Sequence, residues 1–349
     1  GAGALPRPGA ARIAILCAAF VMTAALSPAL AAPAWSPPRA ADGHPDLNGV
    51  WSNASVTKLT RAPGTPLVVS RIDAEAMARS IARGDDAEAA PSTGIAPPPQ
   101  VGAVTVGYNA FWIDDGRGLA SVKGQFRSSW IVDPADGQLP LSEAGRQLAN
   151  RDKAAHHTDQ AAGPEALMPW DRCLISSRGS GGPGMLNNLY NNNYQIVQTP
   201  GAVAILVEMV HDVRTIPLFA NRADAQAGHG PAELHPWLGD SVGWWEGDTL
   251  VVETVNVHPE QGRTGPIYLS PQGRVVERFT RASPGQIFYE FQVDDPAYYS
   301  RPWRAEMSLT ASKDRIYEFA CHEGNYAMSG ILAGARAAES PTLAAAPAR

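Results

Sequence analysis

The sequence predicts a mainly β domain, folded as an antiparallel β-barrel or as a sandwich, with a few short helices in its N-terminal part. Three observations point there. Thirty prolines and 33 glycines in 349 residues imply many turns and few long helices, against a helical bundle or coiled coil. From Tyr194 onward, short apolar runs follow one another across turn residues, with no helical segments between them. A hydrophobic content of 44% with 18% charged residues is that of a chain able to bury a core.

The elements follow in order. Arg7 and Arg12 precede an uncharged, mostly apolar stretch from Ile13 to Leu26, and Ala29-Leu30-Ala31 has the small-residue pattern of a cleavage site. Residues 1–31 are therefore expected to be a secretory signal peptide. Residues 32–45, rich in Pro and Ala, read as a linker. Pro45 to Trp51 reads as a turn entering a first strand. A helix is expected from Ser70, a capping residue, to Arg83, with Gly84 as its stop. Residues 87–100 read as a loop, Gly107–Ile113 and Ser128–Val132 as strands, and Ser142–His157 as a second helix. Residues 171–193 form a long irregular loop rich in Gly and Asn, of the kind that carries function in a compact domain.

The β-rich part begins with Tyr194–Gln198, a Thr-Pro-Gly turn and Val203–Val213. Gly243–Trp245, the turn Glu246-Gly247-Asp248 and Thr249–Val257 make a second hairpin. Val275–Thr280, Ile287–Val293, Trp303–Leu309 and Ile316–Cys321 complete the run. Residues 46–334 are read as one β-rich domain with an irregular first third, and 335–349 as a disordered tail.

Net charge is -6, which disfavours a nucleic-acid-binding surface. Removal of the leader would take two arginines and leave the chain more acidic. No later stretch is long and apolar enough for a membrane helix, so no stable insertion is expected after cleavage. Cleavage would also remove Cys17 and leave Cys173 and Cys321, which in an exported chain suggest one disulfide; two buried thiols are the alternative. The expected location is the periplasm or the cell exterior.

Several motifs together resemble a family of exported bacterial proteins largely without assigned function. They are Pro45–Trp51, Gly107-Tyr108-Asn109 with Trp112, Ile131–Pro134 with Asp136-Gly137, Asn191–Gln198, His211–Arg214, Trp237–Gly243, Trp245–Val252 and Tyr317–Tyr326. The resemblance implies membership and carries no mechanism. Gly49-Val50-Trp51 also resembles the G-x-W opening of lipocalin-like barrels, which favours a barrel over a sandwich.

Alternation along Val203–Val213 places Val203, Ile205, Val207, Met209 and His211 on one face, and Glu208, Asp212 and Arg214 on the other. A face with carboxylates and arginine suits a polar cavity or a solvated wall. If Cys173 bonds Cys321, the irregular loop is tied beside His322 and Glu323, with Arg172, Tyr190 and Asn193 nearby. Catalytic candidates are thus His211, Asp212, His322 and Glu323: a histidine moves the proton and a carboxylate orients it. Candidate binding residues are Arg172, Tyr190, Asn193, Arg214, Trp237, Asp240 and Tyr326. Gly239-Asp240-Ser241-Val242-Gly243 is a literal G-x-S-x-G, but the following Trp244-Trp245 and turn are hairpin chemistry rather than a nucleophile elbow. Gly179 to Gly184 is a literal G-x-G-x-x-G without the strand and helix a nucleotide site needs. No cofactor is predicted; scattered histidines (His211, His229, His235, His258 and His322) leave a His-bound metal open.

Three functions remain open. The first is an enzyme using His and carboxylate acid–base chemistry on a small organic or carbohydrate-like molecule, as a lyase, isomerase or hydrolase. The second is a non-catalytic small-ligand-binding protein with an aromatic pocket that includes Trp237 and Trp245. The third is a Ser241 hydrolase.

Overall fold

The computed structural model describes Gly1, Gly3, residues 35–89, residue 116, and residues 118–155 and 162–339. The expected leader, the strand at 107–113 and residues 340–349 lie outside the described residues, apart from Gly1 and Gly3. Ser36–Arg349 cluster as one compact unit and Gly1–Trp35 as another.

Along the chain stand β1 (Gly49–Ser52), β2 (Val68–Val69), α1 (Arg71–Ala89), β3 (Ser121–Val122), β4 (Gln125–Arg127), β5 (Ile131–Asp133) and α2 (Glu143–Ala155). They are followed by β6 (Asn193–Gln198), β7 (Ala202–Val207), β8 (Val213–Phe219), α3 (Arg222–Ala227), β9 (Asp240–Glu246), β10 (Thr249–Val255) and α4 (Pro259–Gly262). The last are β11 (Arg274–Ser283), β12 (Gln286–Asp294), β13 (Trp303–Ala311), α5 (Cys321–Gly324) and α6 (Tyr326–Glu339).

Nine strands close into a barrel in the order β1-β6-β7-β8-β9-β10-β11-β12-β13, and β13 returns to β1 through Trp51↔Ala311. Of the barrel and the sandwich that the hairpins left open, the barrel forms. Closure leaves no long free edge in the ring. One pairing differs from the antiparallel expectation: β8 and β9 run parallel, at Leu218↔Gly243 and Phe219↔Trp244. The connection between them carries α3, which turns the chain back along the outer wall. β5 pairs with the free half of β13, and a small sheet in the order β2-β4-β3 lies beside it.

Period-2 alternation fills the interior. Trp51, Tyr194, Ile205, Leu250, Phe279, Tyr289, Phe291, Trp303 and Met307 point inward and are buried. Each such side chain contributes about 1.5–3 kcal/mol by leaving water. At one end the Arg281 guanidinium lies 4.6 Å over the Trp51 ring, and His44 stacks on Trp245 at 4.5 Å.

The structure corrects several local expectations. The run Val203–Val213 is not one strand. The chain leaves β7 at Glu208, makes a single 3-10 turn at Met209–His211 with Val210 at φ 61°, and re-enters the sheet at Val213. The break resets the alternation, so Arg214 faces inward with Val203, Ile205 and Val207 rather than opposite them. Helix α1 passes through Gly84 to Ala89, because one glycine costs only about 1 kcal/mol. Ser70 and Ser142 cap α1 and α2 through their hydroxyls, which accept from Asp73 N and Gly145 N. Ile316–Cys321 is not a strand; Cys321 opens α5. The expected tail is helical as far as Glu339, where its alanines suit α6. Residues 39–45, expected as linker, form a tight turn closed by Arg39↔Pro45 and held by Gln198 on Asp42.

Candidate active site at the barrel mouth

The end of the barrel opposite Arg281 and Trp51 is stoppered by the glycine-rich loop 179–186. Its backbone bonds directly to inward side chains. Gly184 N donates to Glu277 Oε1 at 3.3 Å, and Met185 N donates to Tyr289 Oη at 2.8 Å. Tyr194 Oη donates to Ser180 O at 2.9 Å, and Asn53 Nδ2 to Met185 O at 3.1 Å. Glycine is required where the loop enters. A Cβ on Gly182 (φ +87°) would stand 2.6 Å from Arg214 Nη1, and one on Gly184 (φ +75°) 2.6 Å from Ile267 Cδ1. The G-x-G-x-x-G is thus a packed plug.

Beneath the plug lies an ion pair sealed from water. Arg214 meets both oxygens of Glu277, with Nη1 to Oε1 at 3.0 Å and Nη2 to Oε2, and the side chains are 1% and 0% exposed. Tyr289 Oη donates to the same carboxylate at 2.6 Å. Burial alone would lower the Arg214 pKa, but the Glu277 charge and hydrogen bonds outweigh it, so Arg214 is held above its ordinary value. Burial, with the neighbouring Glu277 charge, pushes the Tyr289 phenol well up. Ser241 Oγ stands 2.8 Å from Thr254 Oγ1 in this interior, within a strand-to-strand hairpin. No helix follows it, so the elbow geometry of a serine hydrolase is absent.

Loops converge above the plug. The Cys173–Cys321 disulfide forms, with Cα atoms 5.7 Å apart, and ties the irregular loop to α5. Arg172 Nη1 donates to Glu260 Oε2 at 2.9 Å. His258 caps α4, its Nδ1 accepting from Glu260 N at 3.3 Å, and its ring stacks on Trp237 at 3.8 Å. Burial lowers the His258 pKa; the Glu260 charge opposes this, while His235, Arg263 and Arg172 add to it. His258 is therefore neutral at pH 7, and with Nδ1 accepting, its proton sits on Nε2. Gln261 couples mouth and plug: Oε1 accepts from Leu238 N at 2.8 Å and Nε2 donates to Gly182 O at 2.9 Å. A small cavity of about 30 Å³, room for a water, lies against Ser176, Gly181, Val257 and Gln261.

No protein-family model, curated protein or solved structure matches the chain.

The structure separates the residues singled out by sequence. Arg172 and Trp237 meet at the mouth through Glu260 and His258. Asp212 is close by, Oδ2 accepting from Ser176 N at 2.7 Å. The His211 side chain lies outside the described residues. Arg214 belongs to the sealed interior and cannot touch a substrate while the plug is seated. His322 and Glu323 are brought beside Cys173 but face solvent, with no side-chain bond among the described residues, so they do not join His258. Tyr326 is 81% exposed. Tyr190 packs half-buried against the core, and Asn193 holds Glu208 at 2.9 Å. Asp240 instead holds His229, on the outer wall, at 3.0 Å. Trp237 and Trp245, expected in one aromatic pocket, lie apart: Trp237 is at the mouth and Trp245 lies against His44 at the other end. Among the described residues, no three His, Cys, Asp or Glu side chains are grouped to hold a metal ion.

From the sequence His258 stood out only as one of several histidines that left a metal site open, and Glu260 and Glu277 were not singled out. His258-Pro259-Glu260 carries a signal, a polar cap followed by proline at the first helical position. Glu277 was also legible, since alternation puts it between Val275 and Phe279 on an apolar face.

Proposed function

We propose that the chain is an exported enzyme acting on a small organic or carbohydrate-like molecule at the barrel mouth, by acid–base chemistry of the isomerase or lyase kind. His258 and Glu260 take the roles first expected of His211, Asp212, His322 and Glu323. The observation that carries this reading is an imidazole held between the Trp237 face and the Glu260 N–H, which Nδ1 accepts, beside the Arg172–Glu260 pair. Its Nε2–H can donate to a substrate oxygen that gains charge. The Glu260 carboxylate can take a proton from a neighbouring carbon or hydroxyl and return it one atom away, which leaves atoms and charge balanced. Arg172 orients the carboxylate and offers its remaining N–H groups to an anionic substituent. The disulfide suits an oxidising compartment, and no helix among the described residues is long and apolar enough to cross a membrane.

The test is solvent-deuterium incorporation, followed by NMR, into a panel of oxo-acids, hydroxy-acids and reducing sugars. The wild type should exchange at least one of them, Glu260→Gln should stop the exchange, and His258→Asn should slow it by about two orders of magnitude. No exchange by wild type, or equal exchange by both variants, overturns the reading.

A further inference from the structure

The connection from α3 to β9, residues 228–239, runs from the outer wall to the mouth as a strap fastened at both ends. At its start the His229 ring lies between two carboxylates. Nδ1 stands 3.0 Å from Asp240 Oδ2 on β9, and Nε2 stands 3.6 Å from Glu253 Oε1 on β10. Gly230 N donates to the same Asp240 oxygen at 2.8 Å. At its other end Trp237 stacks on His258, Leu238 N donates to Gln261 Oε1, and Pro236 O accepts from His258 N at 3.1 Å. Between these points residues 231–234 are exposed.

We propose that His229 is a pH-operated latch for this strap: protonated, it pins the strap to the barrel wall, and neutral, it lets the strap loosen and with it the Trp237 stack on His258. A neutral imidazole carries one N–H and one lone pair. Between two carboxylates the N–H serves one, and the lone pair is turned on the other. The imidazolium donates from both nitrogens. Glu253 has holders of its own: Gln226 Nε2 of α3 at 3.1 Å and Arg274 Nη1 of β11 at 3.2 Å, and Arg274 also reaches Asp294 of β12 at 3.2 Å. These keep Glu253 ionised and in place when His229 gives up its proton, so the strap is the part that yields. Burial lowers the His229 pKa, and the bonds and charges of Glu253 and Asp240 outweigh it. The latch is therefore closed below pH ~6.5 and opens as pH rises through the raised folded value. Its effect on the chemistry rests on the reading of the mouth given above; the latch itself rests on the strap.

Hydrogen exchange read by mass spectrometry tests the proposal on peptides covering 229–239, where the Gly230, Leu234, Leu238 and Gly239 amides are hydrogen-bonded. Protection is taken relative to the free-peptide rate at each pH, at pH 5.5 and pH 9. Wild-type protection of the strap should be at least about fivefold higher at the lower pH, the difference between a charge-assisted hydrogen bond and a neutral one. His229→Gln, which has no proton to lose, should show no such difference. Strand β12 should be equally protected at both pH values in either protein. Equal protection of the wild-type strap at the two pH values, the same fall in His229→Gln, or a fall shared by β12 would each overturn the latch. Deuterium uptake by a substrate plays no part in this readout, so failure of the mouth chemistry would leave the latch standing.

Discussion

Replacing Glu277 by Gln keeps the shape of the side chain and removes one charge from the sealed interior. The Glu277 carboxylate accepts from Arg214 at both oxygens, from Tyr289 Oη at 2.6 Å and from Gly184 N at 3.3 Å. In Glu277→Gln, Arg214 stays buried and charged without a counter-ion, and a carboxamide N–H group faces another donor. Breaking such a pair costs about 3–5 kcal/mol. For a domain of this size that is roughly 6–10 °C in Tm, at about 2 °C per kcal/mol. The assay is urea and thermal unfolding followed by circular dichroism, with hydrogen exchange at Gly184 and Met185 reporting release of the plug. The double variant Arg214→Met with Glu277→Leu should recover at least about half of the loss, because no charge is then left buried. A loss under about 1 kcal/mol for Glu277→Gln, or a double variant less stable than the single, refutes the reasoning.

Gly182→Ala should destabilise by about 2 kcal/mol or more, since φ +87° and the Arg214 guanidinium both oppose a Cβ; chemical denaturation reads this directly. Cys173→Ser with Cys321→Ser should cost up to about 5 kcal/mol, the value for closing a long loop, and reductant should lower the wild-type Tm but not the variant's. Acid should also act through the outer rim. His229 bonds Asp240 at 3.0 Å and stands 3.6 Å from Glu253, and these two carboxylates, opposing the burial that lowers its pKa, raise it above the ordinary value. The His229 contribution is full below pH ~6.5 and fades as pH rises through the raised folded value. Bonding by His229, against the upward push of burial and with help from Gln226 and Arg274, lowers Glu253 to about 2. Its contribution is present above pH ~4.5 and is lost as pH falls toward 2, so Glu253→Gln should flatten the stability profile between those limits.

The barrel was legible because hairpin turns and period-2 runs such as Ile287–Val293 declare strands that pair with their neighbours. The parallel β8–β9 contact was not, since alternation says which face a residue takes and nothing about which strand lies beside it. The fate of Arg214 shows the same limit at one residue. Its inward direction depends on the left-handed Val210, and a β-branched residue there has no sequence signature. The disulfide pairing was legible from the cysteine number left by the expected loss of the leader and from the exported location expected for the chain. What it gathered was not, because His322 and Glu323 stand on a short exposed helix whose orientation is set by tertiary packing. His258 and Arg172 are 86 positions apart in the chain, and only the folded loops bring them to the same glutamate.

The central claim is that the mouth holds His258 neutral, with its proton on Nε2. Nitrogen-detected NMR titration of the imidazole from pH 4 to 9, assigned with His258→Asn, measures this most directly. The account predicts a pKa below 6.5, with Nδ1 unprotonated throughout the neutral range. A pKa above 6.5, or a neutral form protonated on Nδ1, would contradict it.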